Sequence, residues 1–332
     1  MSHSFRLSRR VFAAWAGLGT LATAAGVRAQ AGFPQPGRPI RLLVGLAAGG
    51  SLDGQARAIG QRLAEIAGTQ VVVDNKPGAS MMISAQELMR AAPDGHTLLY
   101  APSSVFAQNP HTLSKVPYDP FKDFTPISMA AKGPLVLTTH VSLPVQNLPE
   151  LVAWGKANPG KLNFANFGTG TSSHVYAAAF ARAAGIDVVH VPYKGTADAA
   201  RDLLEGRVQA YFDAAPTAIQ NRATGRIRIL GVVASARSPA LPEVPTITEG
   251  GVSGMDLPSW IAIVGPAGMA PETVSRLNGL IRQALSSQSV RDFMAKGAYE
   301  PVASTPAELM QEMHIAYERW GTMIQQIGFE KQ

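Results

Sequence analysis

The stretch Ile40-Arg41-Leu42-Leu43-Val44-Gly45-Leu46 is followed by Ala47-Ala48-Gly49-Gly50-Ser51 and then by Leu52, Ala56, Ile59, Leu63 and Ile66 at helical spacing, with Gly68 behind them. The first seven residues read as a strand, the glycine-bearing five as a tight turn, and the remainder as a helix that Gly68 ends. Strand, turn and helix in that order are the first part of a βαβ unit. Val71-Val72-Val73 supplies the next strand, Ser84 to Ala91 a helix stopped by Pro93-Asp94-Gly95, and Thr97 to Ala101 a third strand. Strands that are apolar on both faces belong inside a sheet covered by helices.

A second series starts after Pro134. Leu135 to Thr138 reads as a strand, and Asn147 with Glu150 opens a helix by a capping-box pattern. Strands are expected at Lys161 to Ala165, Val188 to Val191, Gln209 to Phe212 and Ile227 to Val233, with helices at His174 to Ala184 and Asp198 to Leu204 between them. Irregular chain from Ser238 precedes a strand at Trp260 to Val264, two helices, and a last helix opened by Thr305, Pro306 and Glu308. The fold class is therefore α/β in two lobes, as the length of 332 residues also implies.

At the N-terminus, Arg6, Arg9 and Arg10 precede an uncharged run from Val11 to Val27. This is the layout of a signal peptide over residues 1–29, and small side chains at Val27 and Ala29 place cleavage after Ala29, with export to the periplasm. Ser8-Arg9-Arg10-Val11-Phe12 fits the twin-arginine route, and the general secretory route fits as well. Without this segment the formal charge falls from +6 to +2. No basic block interleaved with aromatics remains, so nucleic acid is not an expected partner. The absence of cysteine excludes disulfides, thiolate metal sites and a cysteine nucleophile.

Two segments carry chemistry, and each is a strand, a glycine-rich turn and a helix start. They are Leu46 to Asp53 and Phe167-Gly168-Thr169-Gly170-Thr171-Ser172-Ser173-His174. Free amides and the positive end of the helix dipole make such a start an anion site, and two of them facing each other can grip both ends of a small acid. Neither turn has the Gly-Lys-Ser/Thr ending of a phosphate loop, and Ser173 stands where a dinucleotide fold wants its third glycine. No Gly-x-Ser-x-Gly elbow is present. His96, His111, His140, His174, His190 and His314 lack metal-ligand spacing, so no metal and no cofactor are expected. For Asp53 two readings stand: it caps the amides of its turn, or it accepts from an ammonium or hydroxyl of a ligand. His174 reads as a structural residue at its helix start.

The motifs Ala48-Gly49-Gly50-x-x-Asp53-x-x-Ala56-Arg57, Asp74-Asn75-Lys76-Pro77-Gly78-Ala79, Pro93-Asp94-Gly95-His96-Thr97-Leu98-Leu99 and Pro117-Tyr118-Asp119-Pro120 occur in order. Gly168 to His174, His190-Val191-Pro192-Tyr193-Lys194-Gly195, Asp202-Leu203-Leu204-x-Gly206-x-Val208, Phe212-Asp213 and Gly265-Pro266-Ala267-Gly268 follow them. Together they closely resemble the Bug family, the substrate-binding components of tripartite tricarboxylate transporters, over essentially the whole chain after residue 29.

The resemblance implies a type II periplasmic-binding fold with a ligand cleft between lobes. The chain would cross near Ala130 and Gly254, giving one domain of residues 30–130 plus 255–332 and another of 131–254. It implies a monomer that closes on a small carboxylate and delivers it to a membrane permease, with a sensor kinase as the alternative partner. Carried over by position, the first-lobe contacts are Ala47, Ala48, Gly49, Gly50 and Asp53, with Ser103 and Ser104 after the third strand. The second-lobe contacts are Thr169, Gly170, Thr171, Ser172 and Ser173, with Tyr193 and Asp213 at the cleft. An exported enzyme acting on carboxylates is the competing class; it would use His174 and the hydroxyls, but no base-and-nucleophile pair is visible. Two departures bear on specificity: Leu46-Ala47 replaces the usual aromatic-proline pair, and Ser80-Met81-Met82 stands where glycines are more typical. They point to a ligand less polar than a tricarboxylate.

Overall fold

The computed structural model describes residues 33–257 and 259–332, so the signal-peptide reading lies outside the described residues. Among them the chain runs β1 (Ile40–Val44), α1 (Ser51–Ala67), β2 (Val71–Asn75), α2 (Met82–Met89), β3 (Thr97–Pro102), α3 (Asn109–Thr112) and β4 (Phe124–Gly133). It continues through β5 (Leu135–His140), α4 (Leu148–Ala157), β6 (Leu162–Asn166), α5 (Ser172–Ala184), β7 (Val188–Pro192), α6 (Thr196–Leu204), β8 (Ala210–Ala214), α7 (Ala215–Arg222) and β9 (Ile227–Val232). It ends with β10 (Ser259–Pro266), α8 (Pro271–Ser286), α9 (Gln288–Lys296), β11 (Glu300–Pro301) and α10 (Pro306–Gln326).

The strands form two sheets. The first has the order β11-β4-β10-β3-β1-β2, and the second β7-β6-β8-β5-β9. Each sheet has a parallel part built by βαβ crossovers, β2-β1-β3 in one and β7-β6-β8 in the other. Each is completed by antiparallel strands, β10 and β4 in the first and β5 and β9 in the second. The chain leaves the first sheet at Gly133, enters the second at Leu135, and returns to the first at Ser259. Both sheets are α/β layers whose inner strands are buried, as the sequence leads one to expect, whereas the edge strands β2 and β7 are partly exposed, with Val72 and Val189 at the surface.

α3, β4, α7, β11 and the turn after β3 were not visible in the pattern, and two of them bear on the site. β4 contains Pro126 and Lys132 and reads as punctuated chain, yet it lies between β10 and β11. The segment Ser104–Gln108 forms a π-helical turn, a conformation often found at functional sites.

The last helix ties the molecule together. α10 packs on β4 and on the π-helical turn, and its Trp320, 1% exposed, lies 5.1 Å from the ring of Tyr176 on α5. Its start is a complete capping box: the Glu308 amide donates to Thr305 Oγ1 at 3.2 Å and the Thr305 amide donates to Glu308 Oε2 at 2.8 Å. Thr305→Ala removes one arm of the box and should lower the unfolding free energy by about 1 kcal/mol. Urea denaturation of the two proteins measures this, and an unchanged midpoint would mean that the box adds nothing to stability.

Candidate ligand-binding cleft

The glycine turn before α1 is shaped from within. Asp53 Oδ2 accepts from the Gly49 amide at 3.0 Å and from Arg57 Nε at 3.0 Å, while Asp53 Oδ1 lies 2.9 Å from Arg57 Nη2. Burial opposes ionisation of Asp53, but hydrogen bonds from Arg57, Gly49 and Asn75 outweigh it and hold the carboxyl below its ordinary range. Of the two readings of Asp53, the structure displays the capping one. Ala48 and Gly49 are exposed, Ala47 is half-buried and Gly50 is buried.

Across the cleft this first turn meets the start of α6. Ser51 N donates to Thr196 Oγ1 at 3.4 Å, and a Cβ on Gly195 would stand 3.2 Å from the Ala47 nitrogen. The second turn meets other partners. Thr112 Oγ1 donates to the Gly170 carbonyl at 2.9 Å, Ser172 Oγ to Gln108 Oε1 at 2.8 Å, and Ser80 Oγ to the Thr169 carbonyl. Gly170 sits at φ 76°, and a Cβ there would lie 2.5 Å from Thr112 Oγ1, so only glycine permits this approach. The contacts of the two turns thus run to α6 and to the segment from Ser80 to Thr112.

The hydroxyls of Thr171, Ser172 and Ser173 in the second turn are occupied by the protein. Thr171 Oγ1 donates to the Gly168 carbonyl at 2.6 Å and Ser173 Oγ to the Phe212 carbonyl at 2.8 Å. What this turn offers a ligand is therefore backbone amides at the start of α5. His174, at that start, accepts from the Gly170 amide through Nδ1 at 3.1 Å, which leaves its proton on Nε2. Burial, then the neighbouring His190, push its pKa down to about 4. Although far apart in sequence, the two imidazoles pack edge to face at 4.6 Å, and Phe329 covers His174 at 5.0 Å.

Ser103, Ser104 and Gln108 after β3, Asn166 at the end of β6, and Tyr211 and Asp213 on β8 are fully buried polar residues whose remaining hydrogen-bonding capacity meets no partner of regular geometry. The hydroxyls of Ser103 and Ser104, Gln108 Nε2, Asn166 Nδ2, the Tyr211 hydroxyl and both oxygens of Asp213 have no hydrogen-bond partner of regular geometry. Burial drives the Asp213 carboxyl well above the usual carboxylate range, with only the Ala214 amide and Tyr211 acting the other way. Tyr211 lies two residues before Asp213 on β8 and therefore on the same face, as its polar neighbour without a hydrogen bond of regular geometry.

Just after β8, the start of α7 forms one wall of a cavity of about 420 Å³. Pro216 lines it from that side, and Gly49, Gly50, Ser51, Gln55 and Tyr299 from the other. Tyr100 donates to Gln55 Oε1 at 2.8 Å, and Gln55 donates to Ser51 Oγ at 3.0 Å. Tyr193 is placed differently from the remaining residues. Its hydroxyl donates to Asp202 Oδ2 at 2.8 Å, and its ring lines a separate cavity of about 310 Å³ beside Leu46, Ser80, Met81 and Thr169.

Gln108, Asn166, Thr196, Tyr211 and Tyr299 are cleft residues that the sequence does not announce as such. For Tyr211 a signal exists, since residues two apart on a strand share a face. For Asn166 the signal is its place immediately before the second turn. Gln108 depends on the π-helical turn, and Tyr299 arrives from the far end of the chain.

A family model described as the tripartite tricarboxylate transporter family receptor matches residues 55–329. The chain is 35% identical to a UPF0065 protein from the tcbD-tcbE intergenic region of Pseudomonas sp. strain P51, across 95% of this chain and 93% of that one. Its structure is similar to that of Rpa4515 of R. palustris with adipate, at 32% identity and a TM-score of 0.86 over 90% of this chain and 99% of that one. It is also similar to MatC of Rhodopseudomonas palustris with bound malate, at 29% identity and a TM-score of 0.83 over 87% and 100% of the two chains.

A neutral, buried His174 makes a testable contribution to stability. With its folded pKa depressed from 6.5 to about 4, its contribution is fully present above pH 6.5 and is lost as the pH falls toward 4. His174→Asn retains an acceptor for the Gly170 amide and does not titrate. Relative to that variant, the wild type should lose about 1 kcal/mol of unfolding free energy per pH unit over this window. Denaturant melts of both proteins at several pH values measure the difference; a constant difference would mean that His174 is not held neutral.

Proposed function

The chain belongs to the tripartite tricarboxylate transporter receptor family, and from that premise we propose that it is a monomeric periplasmic solute-binding component that closes two lobes on a small dicarboxylate. The observation that carries this reading is the set of buried polar side chains from both lobes without a partner of regular geometry, joined to the start of α5 by the Ser172–Gln108 and Ser173–Phe212 hydrogen bonds. Buried polar groups are ordinarily satisfied, so such a set is arranged for a polar ligand. Rpa4515 with adipate and MatC with malate supply the ligand class.

The lobes, residues 30–130 with 255–332 and residues 131–254, act as the moving bodies. Closure brings Thr169, Gly170 and Ser172 onto Ser80, Thr112 and Gln108, and it buries Ser103, Ser104 and Asp213 around the bound acid. Amides of Ala47, Ala48 and Gly50 and of Ser172 and Ser173 face its carboxylates, while Asp53 holds the Gly49 amide and so the shape of the first turn, and Tyr193 holds the rim. Leu46 and Met81 give one wall an apolar character that suits a methylene spacer. The closed form then presents a changed surface to a membrane permease.

Catalysis is no part of this reading. The hydroxyls of Thr171, Ser172 and Ser173 donate to other acceptors, and His174 Nδ1 is occupied by the Gly170 amide, so none of these three hydroxyls is paired with His174 as a base.

Isothermal calorimetry against mono-, di- and tricarboxylates tests the proposal, with unchanged ligand recovered afterwards. Selective saturable binding of a dicarboxylate is expected, and turnover of any of these compounds would replace the receptor reading with an enzymatic one. Gln108→Ala deletes both the partner of Ser172 and a cleft donor, and should weaken that binding roughly tenfold, about 1.4 kcal/mol. Export is checked independently: the intact mass of protein recovered from the periplasm should begin at Gln30, and a chain retaining residues 1–29 would refute cleavage after Ala29.

A further inference from the structure

The residue least explained by the reading above is Asp213. It is fully buried, and its oxygens are approached only by the Ala214 amide and the Tyr211 hydroxyl, neither at regular hydrogen-bond geometry. The groups facing it can be followed element by element. On its own strand the neighbour is Tyr211, and from the first lobe it is Tyr299, both neutral phenols around neutral pH. β5 pairs with it through Val136 and carries no titratable group there. On α5, His174 is turned to Gly170, His190 and Phe329. On α6, Asp198 pairs with Arg201, and Asp202 pairs with Arg207 and Tyr193. Arg222 at the end of α7 pairs with Glu243, and Lys296 is exposed at the rim of the larger cavity. No cation among the described residues is therefore paired with Asp213.

The other partnerless groups of the cleft are neutral and mostly donors: Gln108 Nε2, Asn166 Nδ2 and the hydroxyls of Ser103, Ser104 and Tyr211. They suit a ligand carboxylate. An ionised Asp213 enclosed with that carboxylate would place two like charges in one desolvated space, where one of them must take a proton.

We propose that Asp213 is the specificity-setting acid of the cleft, entering the closed complex protonated and donating its O–H to the ligand carboxylate, so that capture of one dicarboxylate takes up one proton from solvent. This rests on the carboxylate reading above. The proton moves from solvent to an Asp213 oxygen on closure and returns to solvent on opening. The site is thereby tuned to ligands rich in acceptors. A ligand approaching Asp213 with an ammonium group would instead keep the carboxylate ionised and take up no proton.

The test is calorimetry with adipate and malate as probes, in two buffers of different ionisation heat, from about pH 6 to about pH 8. For the wild type, uptake should approach one proton per ligand at the upper end, and affinity should fall there by up to tenfold per pH unit. Asp213→Asn keeps a neutral donor but cannot titrate, so its affinity should be flat over this range and its proton uptake zero. Binding by the wild type without proton uptake, or with proton release, would overturn the proposal while leaving the carboxylate reading intact. A variant that keeps the wild-type slope would do the same. Failure of both probes to bind the wild type at any pH would overturn both readings. The wild-type uptake needs no variant, so the test survives a failure of Asp213→Asn to fold.

Discussion

Enclosing an anion in a protein without a neighbouring cation places a strict demand on the enclosure: every stripped water must be replaced by a neutral donor already aimed inward. On the function proposed above, the cleft of this protein is built to that demand. Amides at the starts of α1 and α5, the carboxamides of Gln108 and Asn166, and the hydroxyls of Ser103, Ser104 and Tyr211 are contributed by both sheets, and none carries charge. Such donors cannot be supplied by one lobe alone. The two-lobed architecture follows, since open lobes let water satisfy each group and closure exchanges that water for ligand.

The glycine turns serve this exchange in two distinct ways. In the first, Asp53 and Arg57 fix the Gly49 amide from below, which fixes the loop before any ligand arrives. In the second, Gly170 allows its carbonyl to approach Thr112, so the turn that presents the α5 amides is also a latch between lobes. Its counterpart, Ala79-Ser80-Met81, adopts left-handed backbone at three successive non-glycine residues, with φ values of 46°, 51° and 70°. That conformation is costly for residues with a Cβ. The benefit is visible in the Ser80 hydroxyl, which reaches the Thr169 carbonyl across the cleft, a contact that glycine could not make.

The βαβ units were legible in the sequence because their strands are short, apolar runs and their helices keep a strict period, as β1 with α1 shows. β4 was hidden because Pro126 and Lys132 break the apolar signal of a strand whose place is decided by β10, far along the chain. The site was legible where it is local: a glycine turn followed by a helix start is a sequence pattern with a physical meaning. It was illegible where it depends on long-range meeting. Ser172 finds Gln108, and Tyr299 approaches Gln55 and Ser51, only after both sheets have formed. Tyr193 illustrates the converse case, since its motif is local but its hydroxyl is claimed by Asp202 one helical segment away.

Two buried groups of the second lobe, His174 and Asp213, act on stability in opposite senses as the medium acidifies, and His190, also held below its ordinary value by burial, acts in the same sense as His174. His174 has its pKa depressed, so its contribution shrinks as pH falls from 6.5 toward 4. Asp213 has its pKa raised, so its contribution is complete below the unfolded value near 3.9 and shrinks as pH rises toward the folded value. Over the shared interval the unfolded chain gains a proton at one residue while it holds one fewer than the native chain at the other, and the two slopes offset. Both shifts arise from the same cause, the burial of titratable groups around the start of α5 and the end of β8, with Ser173 hydrogen-bonded to Phe212 between them. A cleft dry enough to hold an anion on neutral donors therefore carries its own compensation: the same desolvation that keeps the imidazole neutral keeps the acid protonated.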